Sequence, residues 1–214
     1  MKDQRTDKAN DCFYKMCYYI FSFSWAYYLM HDKKYMPFWL GGSWDGDYDL
    51  SYVDHPYQKH DPMLENYMLV TMGFHVASFI EHLIPPHRND FVEMALHHIV
   101  TFFLYATCHM VNITETGALT AFMHDFADIG INMSRIFAET IPTLSAITFA
   151  LTMIAWLWSR MICYPYSIYL LAVSHVNMGS IVGKPFIIYL LSALVILHYY
   201  WFGLFCKIMA KFLR

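Results

Sequence analysis

Residues 91–111 read FVEMALHHIVTFFLYATCHMV, an apolar run interrupted by two adjacent histidines, His97 and His98. A bilayer-crossing helix needs about 20 mainly apolar residues, so the run is long enough to span. Downstream, residues 115–137 read ETGALTAFMHDFADIGINMSRIF, a second such run holding His124, Asp125 and Asp128. A centred Asp costs about 2.5–3.5 kcal/mol even on the lenient insertion scale, so ionisable groups at such depth are kept mainly for function. These two segments are where the fold and the chemistry are decided.

Working outward, four more stretches of similar length and low charge appear, so the chain predicts six spans. They are Phe13 to Met30, Leu64 to Pro85, Phe91 to Val111, Glu115 to Phe137, Thr143 to Cys163 and Pro185 to Met209. A shorter stretch, Tyr166 to Met178, carries His175 and Asn177 and is read as a re-entrant or cavity-lining helix. Composition agrees: of 214 residues 57% are apolar and only 14% charged, against about 25% charged in a soluble domain. The expected fold is an all-α membrane protein, with residues 1–11 a polar amino-terminal segment and 12–212 a single transmembrane domain.

An even number of spans puts both termini on one side. Lys2, Arg5 and Lys8 before the first span, Arg88 in the second loop, and Lys207, Lys211 and Arg214 at the end fall together, and the positive-inside rule makes that side cytosolic. Lys33, Lys34 and Lys59, on the long first loop, run against this scheme. The start, MKDQRTDKAND, is too polar for a cleaved signal peptide, so the first apolar span itself addresses the chain to a membrane. No basic cluster suited to nucleic acid is present. The five cysteines form no CxxC pair and imply neither a disulfide framework nor a metal site.

The first loop, Gly41 to Pro62, is expected to be structured but non-helical. Its acidic run Asp45, Asp47, Asp49 imitates the start of a calcium loop, yet Gly46 is misplaced and no Glu follows at the twelfth position, so a solvated loop is expected. Asn112-Ile113-Thr114 is a glycosylation sequon that abuts the membrane in a very short loop, and its use is not expected.

At about 100° per residue, His124, Asp125, Asp128, Asn132 and Arg135 share one face of the fourth span. Glu93, His97, His98, Thr101, Tyr105, Cys108 and His109 share a face of the third, and Tyr67, Thr71, His75, Ser78, Glu81 and His82 a face of the second. Lipid cannot be where three polar stripes point. A shared, partly hydrated cavity is the economical arrangement.

Polar residues inside membranes often only pair and glue helices together, and an isolated His175 or His198 is read that way. Two imidazoles with two carboxylates exceed what helix association requires. Arg135 and Arg160 either neutralise those carboxylates or bind an anionic group on a ligand. Haem would use one histidine on each of two facing helices but gives Asp125 no role. A di-iron site would need several spaced histidine pairs, and the chain offers one adjacent pair. Acid–base or nucleophilic acyl transfer uses the whole set.

The run Arg88-Asn89-Asp90-Phe91-Val92-Glu93-Met94, then His97-His98-Ile99-Val100-Thr101, then His124-Asp125-Phe126-Ala127-Asp128, resembles the Lag motif of ceramide synthases, members of the TLC-domain family. Trp44 and Asp45 with His55-Pro56, Arg160 followed by Tyr164-Pro165, and Leu197-His198-Tyr199-Tyr200-Trp201 extend the likeness over nearly the whole chain. The resemblance implies a multi-pass enzyme of the endoplasmic-reticulum membrane, its six helices surrounding a central lipid cavity. It implies transfer of the acyl chain of a fatty acyl-CoA to the amine of a sphingoid base, giving ceramide or dihydroceramide and free CoA.

No cofactor is expected beyond acyl-CoA as co-substrate, and no metal. The expected partners are the two substrates, the bilayer and a second such chain in a homodimer or heterodimer. By the same resemblance His97, His98, Asp125 and Asp128 form the catalytic cluster, while Thr101, Tyr105, His124, Asn132, Arg135, Arg160, His198 and Trp201 contact substrate. In this reading an imidazole either takes the amine proton directly or attacks the thioester to form an acyl-imidazole, and the carboxylates hold the histidines and attract the ammonium group. Ala127 stands where the family commonly has serine, and His87-Arg88 replaces a pair of strong cations. A non-catalytic TLC-domain protein that binds, moves or senses lipid is the alternative. A haem or metal electron carrier is a more distant one.

Overall fold

The computed structural model describes residues 2–85, 90–138, 140–174 and 183–212. His87, Arg88, Asn89, His175, Asn177, Met178 and Arg214, used in the sequence reading, lie outside the described residues. Every regular element among the described residues is helical. The long helices are α1 (Lys2–Met30), α2 (Pro62–His82), α3 (Phe91–Met110), α4 (Thr114–Ala138), α5 (Pro142–Trp156), α6 (Tyr164–Val173) and α7 (Lys184–Phe212).

Helix α4 is the axis of the bundle. It packs against α1, α2, α3 and α5, and every residue from Thr114 to Asp125 is buried. Its small residues permit this closeness, as is usual where membrane helices meet. Gly130 faces Thr152 of α5, and a Cβ there would collide with the threonine Oγ1. The outer surfaces of the surrounding helices are apolar instead: Ile20 and Phe21 on α1, Leu69 and Ile80 on α2, Ile99 and Phe103 on α3, Leu151 and Ile154 on α5, and Ile196 on α7 are all exposed. The bundle thus keeps polar groups among a largely apolar core and turns apolar side chains outward as well.

Among the described residues, three helical stretches are long and apolar enough to cross a membrane by length and composition: Phe91–Met110, Pro142–Val173 and Lys184–Lys211. Helix α4 falls outside that set because it carries Asp125, Asp128 and Arg135 close together. Asp125 meets Ser22 of α1 and Asp128 meets Arg160.

The second of these stretches corrects one sequence expectation. As far as Val173, the short segment expected to begin at Tyr166 is a continuation of α5. The two are joined by a π-helical turn, Leu157–Cys163, in which the Tyr164 N–H bonds back to the Ser159 carbonyl, five residues earlier. Proline lacks an N–H and crowds the preceding turn. The wider π turn before Pro165 absorbs that defect, so a residue that read as a break becomes a bulge.

A short 3-10 helix, Phe38–Leu40, precedes the first loop, and a second, Tyr48–Tyr52, lies within it where no helix was expected. Asp47 caps the second, accepting the Asp49 N–H at 3.0 Å, so this carboxylate serves the local fold. Gly42 lies so close to the Met36 carbonyl that no Cβ fits. His60 then fastens the loop to the α3–α4 corner. Its Nδ1 donates to Glu115 Oε1 at 2.6 Å and its Nε2 to Asn112 Oδ1 at 2.7 Å.

The Asn112 amide nitrogen itself donates to the carbonyls of Pro56 and Gln58, so its oxygen must accept. Both ring nitrogens of His60 therefore carry protons, and the ring is an imidazolium. Burial opposes that charge, but the hydrogen bond and charge of Glu115, with Asn112, outweigh it and hold the His60 pKa above its ordinary 6.5. The same contacts occupy the sequon nitrogen.

Candidate active site

A cavity of about 780 Å³ opens among the first half of α1, the end of α2, the start of α3 and the second halves of α4 and α7. That is the end of the bundle from which both termini leave, and its size falls in the range of small-molecule sites. His97, His98, Asp128, Asn132, Arg135, Arg160 and Trp201, all expected at the site, line it together. Met94, Ile131, Leu204 and Phe205 give it apolar wall, while Asp11, Lys15 and Glu81 stand toward the mouth. Lys15 bridges the two carboxylates, at 2.7 Å from Asp11 and 3.2 Å from Glu81.

The two motif histidines leave adjacent positions of α3, with ring centroids 5.6 Å apart. The Trp201 ring stands edge-on to His97 at 5.4 Å. Neither Nδ1 atom has a hydrogen-bond partner, although both are buried. A third imidazole, His75 of α2, lies 6.0 Å from His98 and 6.3 Å from His97 between centroids, and its Nδ1 is also unpartnered. Sequence reading placed His75 on a polar stripe without counting it in the site. Its spacing from Ser78 and His82 was the available signal.

Both carboxylates are engaged by partners other than the motif histidines. Asp128 Oδ2 accepts from Arg160 Nη2 at 2.6 Å, and the same nitrogen donates to the His124 carbonyl at 2.8 Å. The guanidinium carbon sits 4.0 Å over the Trp156 ring. Arg160 thus neutralises a carboxylate, one of the two roles open to it from sequence. Asp125 does not line the cavity. It is buried against α1, where Ser22 donates to its Oδ2 at 2.5 Å and the Tyr67 hydroxyl lies 3.3 Å from the serine. Among the described residues no hydrogen bond joins either carboxylate to His97 or His98. Ser22 was missed because a serine among aromatics carries no helical spacing signal.

The remaining expected contacts lie behind the wall. His124 Nδ1 meets the Thr120 carbonyl at 2.6 Å and must donate, so in the neutral ring its Nε2 accepts. His198 Nε2 is the donor to it, at 3.0 Å. A direct contact between two histidines thus joins α4 and α7 here. Thr101 and Tyr105 are buried off the cavity, Tyr105 packing 5.5 Å from His75.

Chemically, the cavity offers the imidazoles of His75, His97 and His98 with Nδ1 atoms that have no partner, the Asp128 carboxylate neutralised by Arg160, and apolar walls beside them. That set suits proton transfer and nucleophilic attack on an acyl group.

The TLC domain matches residues 8–207, and the chain belongs to that family. It is 26% identical to ceramide synthase hyl-1 of Caenorhabditis elegans over 165 residues, which cover 76% of this chain and 42% of that protein. It is 29% identical to ceramide synthase 4 of Mus musculus over 176 residues, 80% of this chain and 44% of the relative. With ceramide synthase LOH2 of Arabidopsis thaliana the identity is 27% over 184 residues, 80% and 61%. The chain spans about half the length of the curated relatives it matches.

Proposed function

We propose that this chain is a ceramide synthase, joining the acyl group of a fatty acyl-CoA to the amine of a sphingoid base. One observation carries this reading. A cavity with unpartnered His97 and His98 and the ion-paired Asp128 sits inside a bundle whose outside is apolar. A protein that merely held lipid would gain nothing from imidazoles and a carboxylate in that position.

In this reading six helices cross the endoplasmic-reticulum membrane, with α4 shielded at their centre and both termini cytosolic. The outward apolar faces of α1 and α2 support two of the three spans that overall composition leaves out, α4 being the third. The long chains lie along the Leu204 and Phe205 wall, and the reacting groups meet near His97 and His98. One imidazole takes a proton from the amine, whose ammonium form has a pKa near 10 and cannot attack. Alternatively an imidazole first carries the acyl group and the amine resolves it. Asp128, fixed by Arg160, faces the incoming ammonium, while Asp125 and Ser22 hold α1 against α4 behind the site.

The test is direct: purified protein, sphinganine and a panel of acyl-CoAs, with products identified by mass spectrometry. Amide product and free CoA in equal amounts are expected. Folded protein that yields no amide with any donor would overturn the reading in favour of a lipid-binding role.

A further inference from the structure

His75 reaches the cavity from a helix that carries none of the motif. Its ring faces those of His97 and His98 at 6.3 and 6.0 Å, and its Nδ1 is buried without a partner. Leaving a buried polar atom unpaired is unfavourable. Helix packing alone does not call for that, since any apolar ring would fill the space beside Tyr105.

The proton inventory of the reaction supplies a use. An ammonium group carries three protons and the amide product keeps one. As the N–C bond forms and the C–S bond breaks, the electron pair of the latter leaves with sulfur, and one proton follows it to make the free thiol. The other must leave the site altogether. One imidazole can return the first proton to sulfur, but the second needs an acceptor of its own and a way out. The need sharpens if His97 or His98 carries the acyl group, because only one of the pair is then free to move protons.

Helix α2 provides such a way. His75, Ser78, Glu81 and His82 all line the cavity, and their spacing of three and four residues sets them along one helical face. The row ends at Glu81, whose side chain is 56% exposed at the mouth. We propose that His75 is a further catalytic residue, the base that accepts the second amine proton and passes it by Ser78 toward Glu81 and solvent. The assignment rests on the acyl-transfer reading above.

Two variants test it in the purified full chain. His75→Gln keeps polarity and approximate size but cannot relay a proton, and His75→Ala leaves room for added imidazole. Each is expected to lower kcat about 100-fold with KM little changed, and free imidazole is expected to restore much of the His75→Ala rate. A structural role would not respond to imidazole. Parental kcat in His75→Gln, or a loss in folded His75→Ala that imidazole does not rescue, overturns the assignment. If His98→Ala is inactive while His75→Gln is not, acyl transfer stands and only this inference falls. If the parent forms no amide, both fall.

Discussion

Arg160 and Asp128 are joined at 2.6 Å between a π turn and the second half of α4, with the arginine side chain almost wholly buried. The guanidinium also holds the His124 carbonyl and lies on Trp156, so one side chain ties together three parts of the cavity floor. Asp128 can remain charged at this depth because its countercharge is built in.

Removing Arg160 therefore strands a carboxylate. Arg160→Met is expected to destabilise the fold by about 3–5 kcal/mol, and adding Asp128→Asn is expected to recover part of that loss. Unfolding in detergent across the double-mutant cycle measures the coupling. Additive losses would show that the pair is not energetically linked.

Ser22 is the corresponding anchor for Asp125. A buried hydrogen bond contributes about 0.5–1.5 kcal/mol, so Ser22→Ala is expected to lower stability within that range. Ser22→Ala in an Asp125→Ala background is expected to cost much less. Equal losses in the two backgrounds would contradict the contact.

Most of the helices and the shared cavity were legible in the sequence, because polar residues recur at helical spacing on α2, α3 and α4 and lipid cannot receive them. Two things were not. Pro165 reads as a break, and only the hydrogen-bond register of residues 157–163 shows the helix passing through it. The partners of Asp125 and Asp128 come from α1 and the π turn, 103 and 32 residues away in sequence. The motif's adjacency of histidine and carboxylate suggested that they hold one another, whereas the third dimension gives each carboxylate a different partner. Arg160, a lone cation in an apolar run, was legible as either a neutraliser or an anion binder, and only its partner decides between the two. Ser22 gave no such sign.

Gly130 sets the spacing of α4 and α5. Gly130→Ala pushes a methyl group into Thr152 and is expected to cost about 1–3 kcal/mol. Thr152→Ser removes a methyl but leaves the Oγ1 that Gly130 faces, so it should rescue less than Thr152→Gly. The order of thermal midpoints among the three combinations checks the contact.

The His60 imidazolium gives the first loop a pH dependence. Because its folded pKa lies above 6.5, its contribution is complete below that value and fades as pH rises through the folded pKa. Hydrogen exchange of the loop amides is expected to quicken, relative to the intrinsic rate, as pH is raised through this window. Glu115→Gln should flatten the response. A loop equally protected on both sides of the window would contradict the charged assignment.

The central claim is that the imidazole-lined cavity performs acyl transfer. Its most direct measurement is the rate of amide formation from a sphingoid base and acyl-CoA by purified parent protein, beside His98→Ala and Asp128→Ala of matched folding. The account predicts N-acyl product from the parent and a loss of rate of at least about 100-fold in both variants. Undiminished rates in both variants would contradict it.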